Sequence, residues 1–164
     1  MREYNHHGIY FAYPENWTLE ENDIETAEGS VSVSNEQGAF WTLQKYPFGT
    51  DPDDIVRTVL ETMQSEYTNT EWERFEKIVS DKLVVGFEMT FFYLDLMNLA
   101  VVLCFEQDEQ TFAVYWQTGN QLIIHDGKTV PAEKVMEAIS HSLLYGGSQQ
   151  DTDTRQKKRT RSQN

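Results

Sequence analysis

Hydrophobic and polar residues alternate in several short segments near the start of the chain. The alternation is clearest in Ser30–Ser34, where valine alternates with serine, and segments rich in β-branched and aromatic residues also cover Gly8–Tyr13 and Ala39–Tyr46. A period of two is typical of a strand with one buried face. Proline, glycine and asparagine residues separate these segments. The pattern therefore predicts three strands, an extended segment at Trp17–Leu19, and a polar loop or irregular edge over Glu20–Gly29.

A helical pattern follows these strands. Asp51 is suited to the N-cap position and Pro52 to the first helical position, and the acidic residues Asp53 and Asp54 complement the helix dipole. The aspartates lack the alternating spacing and the glycine of a calcium loop, so we interpret them as helix capping and not as a metal site. Apolar residues then recur at helical spacing and form one stripe: Ile55, Val56, Val59, Leu60, Met63 and Tyr67.

Longer strands and a final helix are predicted in the second half of the chain. Alternation continues through Thr70–Ser80 and Leu83–Leu94. In the second of these strands one face is predicted to carry Val85, Phe87, Met89, Phe91 and Tyr93, and the other Val84, Gly86, Glu88, Thr90 and Phe92. The almost wholly apolar Met97–Glu106 predicts a central strand covered on both faces. Thr111–Gln117 returns after a short turn. The helix begins near Pro131, ends at a glycine pair, and carries four apolar residues on its inner face: Val135, Met136, Ile139 and Leu143.

This order of elements predicts an α+β fold. Strands, one helix, a block of antiparallel strands and a last helix do not match the regular alternation of a parallel βαβ protein. We expect an antiparallel β-sheet of about six strands packed with two main helices, and a loop over Gly119–Lys128. Residues 1–147 are predicted to form a single domain. Residues 148–164 contain no apolar side chain and are predicted to be a disordered basic tail.

Charge is unevenly distributed along the 164 residues. The net charge is −14; residues 150–164 carry five basic and two acidic residues, +3, which leaves −17 for residues 1–149. An acidic domain repels nucleic acid phosphates and favours basic partners. We therefore expect the folded domain to bind another protein, basic or apolar, and not nucleic acid; the alternative is surface acidity that increases solubility without a specific partner. The oligomeric state is left open.

The basic residues of the tail allow several roles. A run of this kind can bind nucleic acid, act as a targeting signal, contact its own acidic domain or only increase solubility. The residues concerned are Arg155, Lys157, Lys158, Arg159 and Arg161.

Membrane and secretion signals are absent from the sequence. No segment approaches the roughly 20 apolar residues of a membrane span, and the first residues lack the apolar region of a signal peptide. The sequence therefore predicts no membrane span and a cytoplasmic protein.

Few residues are arranged for catalysis or metal binding. Cys104 lies within an apolar run, which favours a buried structural thiol over a nucleophile, and one cysteine with four histidines makes a poor zinc set. Phosphate-binding, nucleophile-elbow and zinc-protease motifs do not occur. We expect no enzyme, no cofactor and no metal. One alternative stays open, an acidic and aromatic site around Trp72 and Phe75, which Glu71, Glu73 and Glu76 flank.

Aromatic residues on the strands suggest a binding surface. If helices cover only one face of the sheet, the other face exposes a large aromatic patch; if helices cover both faces, the same residues belong to the core. The candidates are Trp41, Trp72, Phe92, Tyr115 and Trp116.

The opening strand carries a family resemblance. Residues 11–17 read F-A-Y-P-E-N-W, which resembles the F-x-Y-P-x-x-W signature of the Mog1/PsbP-like fold group. Gly86–Glu88 on a long strand and Ser140–Leu143 on the last helix fit the same layout, over about residues 4–145. The resemblance implies an α/β/α sandwich, an antiparallel sheet packed between helices, and no common active site.

Members of this group differ in function but mostly bind proteins. They include photosystem II extrinsic subunits, a Ran-binding nuclear import factor, DcrB-like envelope lipoproteins and adaptor chaperones of type VI secretion effectors. Since a fold does not fix a function, we take only the general expectation: a non-catalytic protein-binding module. The alternatives are an adaptor chaperone for an apolar client segment and an enzyme with an acidic, aromatic site.

Overall fold

A seven-stranded antiparallel sheet forms the centre of the protein. The computed structural model describes residues 1–119 and 122–146. Numbered along the chain, the sheet contains β3 (Thr18–Asn22), β4 (Ser30–Ser34), β5 (Phe40–Tyr46), β6 (Glu71–Val79), β7 (Lys82–Tyr93), β8 (Leu96–Gln107) and β9 (Gln110–Gly119), and their order across it is β3-β4-β5-β9-β8-β7-β6. Two separate hairpins pair β1 (Arg2–His6) with β2 (Ile9–Tyr13) and β10 (Leu122–His125) with β11 (Lys128–Pro131).

Helix α1 (Pro52–Glu66) begins as the sequence predicts. The Asp51 side chain accepts a hydrogen bond of 3.0 Å from the backbone N–H of Asp53, and Pro52 occupies the first turn. Ile55 and Val56 are buried against the odd-numbered side chains of β7. The helix therefore covers one face of the sheet over β7, β8 and β9.

The second helix, α2 (132–146), covers the opposite face together with the first hairpin. All four of its predicted inward-facing residues are buried: Val135, Met136, Ile139 and Leu143. The indole N–H of Trp41 on β5 donates a hydrogen bond of 3.0 Å to Ser140 Oγ, and the backbone N–H of Ala12 on β2 donates one of 2.8 Å to Ser142 Oγ. These bonds fix α2 over β5 and beside the first hairpin.

The predicted fold class is therefore confirmed: the protein is an α+β protein with a large antiparallel sheet packed with two helices. The alternating faces predicted for β7 are also observed. Phe87 and Met89 are buried beneath α1, whereas Val84 belongs to the core cluster on the α2 side. The main sheet has seven strands, where the sequence predicts about six in all.

Three short strands do not follow from the sequence pattern. No strand is predicted over Leu122–His125 or Lys128–Pro131, but these residues form β10 and β11. The third, β1, precedes the predicted first strand. The extended segment and irregular edge predicted from Trp17 onward correspond to β3, an edge strand that runs to Asn22. Each of the three unpredicted strands buries at most one side chain fully, so backbone pairing, and not an apolar pattern, defines it.

The tail predicted for residues 148–164 lies outside the described residues. In the part of the chain that is described, no helix is long and apolar enough to cross a membrane.

Candidate functional site

An open groove lies between α2 and the β6–β7 side of the sheet. Its volume is about 580 Å³. Val101, Leu103 and Trp116 form an apolar floor, and α2 supplies one wall. We call this site the acidic groove because four exposed carboxylates line it: Glu73, Glu76, Glu88 and Glu137.

Strand register places two of these carboxylates side by side. Glu73 on β6 pairs directly with Glu88 on β7, and Glu88 pairs in turn with Val101 on β8. Cross-strand partners share a face of the sheet, and like charges directly opposite each other are unfavourable. The two adjacent carboxylates therefore repel each other, and a neutral residue at either position would remove this repulsion.

An aromatic ring lies next to this pair. Phe75, two residues after Glu73, pairs with Gly86, and a Cβ atom built on Gly86 would lie 2.6 Å from the Phe75 ring. The ring thus covers the glycine and extends the apolar floor toward the edge of the sheet. Lys77 Nζ lies 5.5 Å from the centre of the same ring, where a cation–π contact is favourable.

Three of the four groove carboxylates have no basic partner. Within the described residues, Glu73, Glu88 and Glu137 form no salt bridge, whereas Glu76 pairs with Arg74. Arg74 lines the groove, but its guanidinium bonds Asp53 of α1 and, at 3.0 Å, Glu76; the bond to Asp53 is the larger cause that raises the Arg74 pKa. The groove therefore keeps a negative rim.

Helix α2 contributes an aromatic wall. The rings of His141 and Tyr145 stack with centres 4.3 Å apart, and both residues are exposed along the groove. Lys82 Nζ donates a hydrogen bond of 3.3 Å to the carbonyl oxygen of Leu144, which ties the end of α2 to β7. Burial lowers the Lys82 pKa.

The five aromatic residues predicted to bind a partner do not form one surface. Trp41 is fully buried and Trp116 is 4% exposed, so the prediction that they line an exposed face is wrong for both residues. The physical reason is that α2 and the first hairpin cover this face, the alternative that the sequence left open. Trp116 still contributes its edge to the floor of the acidic groove.

The other three aromatic residues lie in separate places. Trp72 is 46% exposed on the α1 side, and Phe92 is 55% exposed at the far end of β7. Tyr115 is half-buried, and its hydroxyl forms a hydrogen bond with the hydroxyl of Tyr46. Burial, followed by this bond, raises the Tyr115 pKa.

A second exposed feature is the β7–β8 turn. Five large apolar residues, 47–78% exposed, surround it: Phe92, Tyr93, Leu94, Leu96 and Met97. We call them the apolar tip. The sequence analysis named only Phe92 as a site residue. The missed signal is a two-residue turn inside an otherwise apolar stretch, since such turns lie at the surface.

The residues of the predicted acidic and aromatic site around Trp72 lie on opposite faces of β6 and do not form one site. Glu73 and Phe75 face α2, whereas Trp72 and Arg74 face α1. Two groove carboxylates, Glu88 and Glu137, were not among the predicted residues. Glu88 could have been identified as the single acidic residue of β7.

The predicted burial of Cys104 is confirmed. Cys104 is fully buried, and burial raises the pKa of its thiol to about 12. Among residues 1–119 and 122–146, no group of three His, Cys, Asp or Glu side chains is placed to hold a metal ion.

Comparisons with known proteins give no family. No family model and no curated protein matches the chain. PA94, a Pseudomonas aeruginosa protein of unknown function, is 12% identical with a TM-score of 0.40, over 72% of this chain and 82% of that one. LpqN, involved in cell envelope biogenesis of Mycobacterium tuberculosis, is 8% identical with a TM-score of 0.43, over 87% and 86%. Both likenesses are too weak to carry an argument about family or function, and the Mog1/PsbP-like resemblance stays a prediction.

Proposed function

We propose that this protein is a non-catalytic protein-binding module of the Mog1/PsbP-like kind, and that its acidic groove holds a basic segment of a partner protein. One observation carries the proposal. Glu73, Glu88 and Glu137 line an open groove with an apolar floor, and no basic side chain of the described residues forms a salt bridge with them.

The groove suits an extended or helical segment that presents both basic and apolar side chains to it. Lysine or arginine side chains can lay their aliphatic portions on Phe75 and Tyr145 while their charged groups meet the carboxylates. Complementary charges at an interface mainly raise the association rate and determine which partner binds. The partner's cation would also reduce the repulsion between Glu73 and Glu88, and this reduction adds to the free energy of binding.

A pair of matched variants tests this proposal. The groove variant changes Glu73→Gln, Glu88→Gln and Glu137→Gln. The surface control variant removes three exposed carboxylates at the opposite edge of the sheet, one on β3 and two in the loop that follows it: Glu20→Gln, Glu25→Gln and Glu28→Gln. Both variants change the net charge equally, and circular dichroism checks that both fold.

Each immobilised protein is then used to capture partners from a lysate of the source organism, read by mass spectrometry. We expect the full chain and the surface control variant to retain a protein that the groove variant loses. A partner that all three proteins capture equally would contradict the role of the groove. The cytoplasmic location expected from the sequence is part of the proposal, and fractionation of cells with an antibody checks it.

A second candidate, an adaptor chaperone for an apolar client segment, rests on the apolar tip. Leu94 is 78% exposed and has φ 52°, a left-handed conformation that costs a residue with a Cβ atom roughly 1–2 kcal/mol. An exposed leucine in this conformation does not stabilise the fold. Leu94→Asn relieves the strain, so we expect equal or higher stability together with loss of the client. Client capture unchanged by Leu94→Asn and Leu96→Thr would rule this candidate out.

A further inference from the structure

The chain leaves α2 at the wall of the acidic groove. Leu144 and Tyr145 line the groove, and Gly146 is the last described residue, close to the Tyr10 ring. The next residues in the sequence, 147–164, include five lysines and arginines between Arg155 and Arg161. The densest positive charge of the chain therefore follows a helix whose last turn lines the same groove as the unpaired carboxylates.

The length of the connection is sufficient. The eight residues 147–154 can span roughly 26–29 Å when extended. The groove extends from β9 across β8 and β7 to β6, three strand spacings or about 14 Å. The basic run can therefore reach Glu73 and Glu88 without strain in the connecting chain.

Four of the eight basic residues outside the tail are held by contacts of their own. Lys45 is buried and bonds the carbonyl oxygen of Ile24, Arg57 pairs with Asp54, and Arg74 bonds the α1 side of the sheet. Lys77, the remaining basic residue of the groove, lies over the Phe75 ring. The groove thus holds more negative than positive charge, and the tail carries the complementary charge.

We propose that the basic tail, Arg155–Arg161, binds in the acidic groove of its own chain and occupies the place of a partner's basic segment. Tethering gives the tail an effective concentration in the millimolar range, so a contact whose dissociation constant lies well below this range keeps the groove largely occupied. A partner then binds only to the unoccupied fraction, and its apparent affinity falls by that fraction. The tail contact stands on geometry and charge, whereas its regulatory consequence rests on the proposed function.

Paramagnetic labelling of the full chain tests the contact. Cys104 is the only cysteine and is fully buried, so a nitroxide attached at Ser162→Cys labels the tail selectively. The readout is the broadening of backbone amide signals on β6, from Glu73 to Lys77, which are far along the sequence from the label. Amide signals of β3 at the opposite sheet edge, including Glu20 and Glu21, serve as the internal control because that edge is also acidic.

We expect the β6 signals to broaden in the labelled full chain and in the labelled surface control variant, and to lose this broadening in the labelled groove variant. Broadening that persists in the groove variant, or that affects β3 as strongly as β6, would overturn the inference, since both outcomes indicate a contact that does not depend on the groove. The absence of broadening on β6 would overturn it as well.

A binding measurement separates this inference from the proposed function. The probe is a fluorescent peptide with the sequence of residues 150–164, and the protein is the full chain with its five basic tail residues changed to glutamine. We expect the peptide to bind this variant more tightly than it binds the unmodified chain, because the groove is then free. Equal affinity would overturn the inference. If the tail contact is found but lysate capture fails to depend on the groove, the inference stands and the proposed function fails.

Discussion

Substitution of Gly86 tests how tightly the floor of the acidic groove is built. Gly86 lies in β7 between β6 and β8, and a Cβ atom there would lie 2.1 Å from the carbonyl oxygen of Val102 and 2.6 Å from Cζ of Phe75. The Phe75 ring can turn away, but the Val102 oxygen belongs to the backbone of the central sheet. Gly86→Ala must therefore shift the sheet itself.

The magnitude follows from two opposing effects. Overpacking of a filled site costs about 1–3 kcal/mol. Replacement of glycine by alanine also restricts the unfolded chain, which returns about 0.4–1 kcal/mol. The free energy of unfolding should fall by about 1–2 kcal/mol, and at about 2–4 °C per kcal/mol for a chain of this size, Tm should fall by roughly 2–8 °C.

Thermal unfolding followed by circular dichroism measures this change, with Gly119→Ala as the matched control. Gly119 also lies in a strand, but the nearest atom to its Cβ position is Asn98 Oδ1 at 3.7 Å, an ordinary van der Waals contact. The control should therefore keep or slightly raise Tm. If Gly86→Ala melts at the temperature of the unmodified protein or above it, the close approach of the two strands at this position is refuted.

Three further predictions test other parts of the fold. Ser140→Ala leaves the buried Trp41 N–H without its acceptor and should cost about 1–3 kcal/mol in urea unfolding; an unchanged midpoint would show that α2 is held differently. Asp51→Ala removes the α1 N-cap and should cost about 0.5–2 kcal/mol, most of which Asp51→Ser restores; equal loss in both variants would exclude capping as the cause. The Cys104 thiol, with its pKa raised by burial to about 12, should react with a thiol reagent at neutral pH only in denaturant, and rapid labelling of the native protein would contradict its burial.

Local patterns were sufficient for the longer elements. The alternation of β7 assigned Phe87 and Met89 to one face and Val84 to the other, and the structure buries them in two separate clusters. The Asp51–Pro52 start of α1 is a short-range signal that needs no tertiary information. These features depend on residues a few positions apart, which is the range in which a sequence pattern is informative.

The site depends on information that a local pattern does not contain. Trp41 and Trp116 were predicted as surface candidates because nothing in their strands reveals that α2 lies over them. Glu88 and Glu137 are far apart in sequence and meet only because α2 crosses the sheet beside β7. The groove is thus a consequence of helix placement, and helix placement is set by contacts such as the bond between Trp41 and Ser140.

The placement of α2 also explains why the groove is charged. Its hydrogen bonds run to β5 and to the first hairpin, so the helix leaves β6, an edge strand, uncovered. Exposed edges need charges to prevent pairing with other chains, and Glu73 supplies one whether or not a partner binds. Glu137 lies on the helix, away from the edge, and cannot have this role. If Glu137→Gln alone weakens partner capture while the elution volume in size-exclusion chromatography stays that of the unmodified protein, the acidic groove is a binding site. If only Glu73→Gln has an effect, and that effect is self-association, the carboxylates protect the edge and the proposed function is wrong.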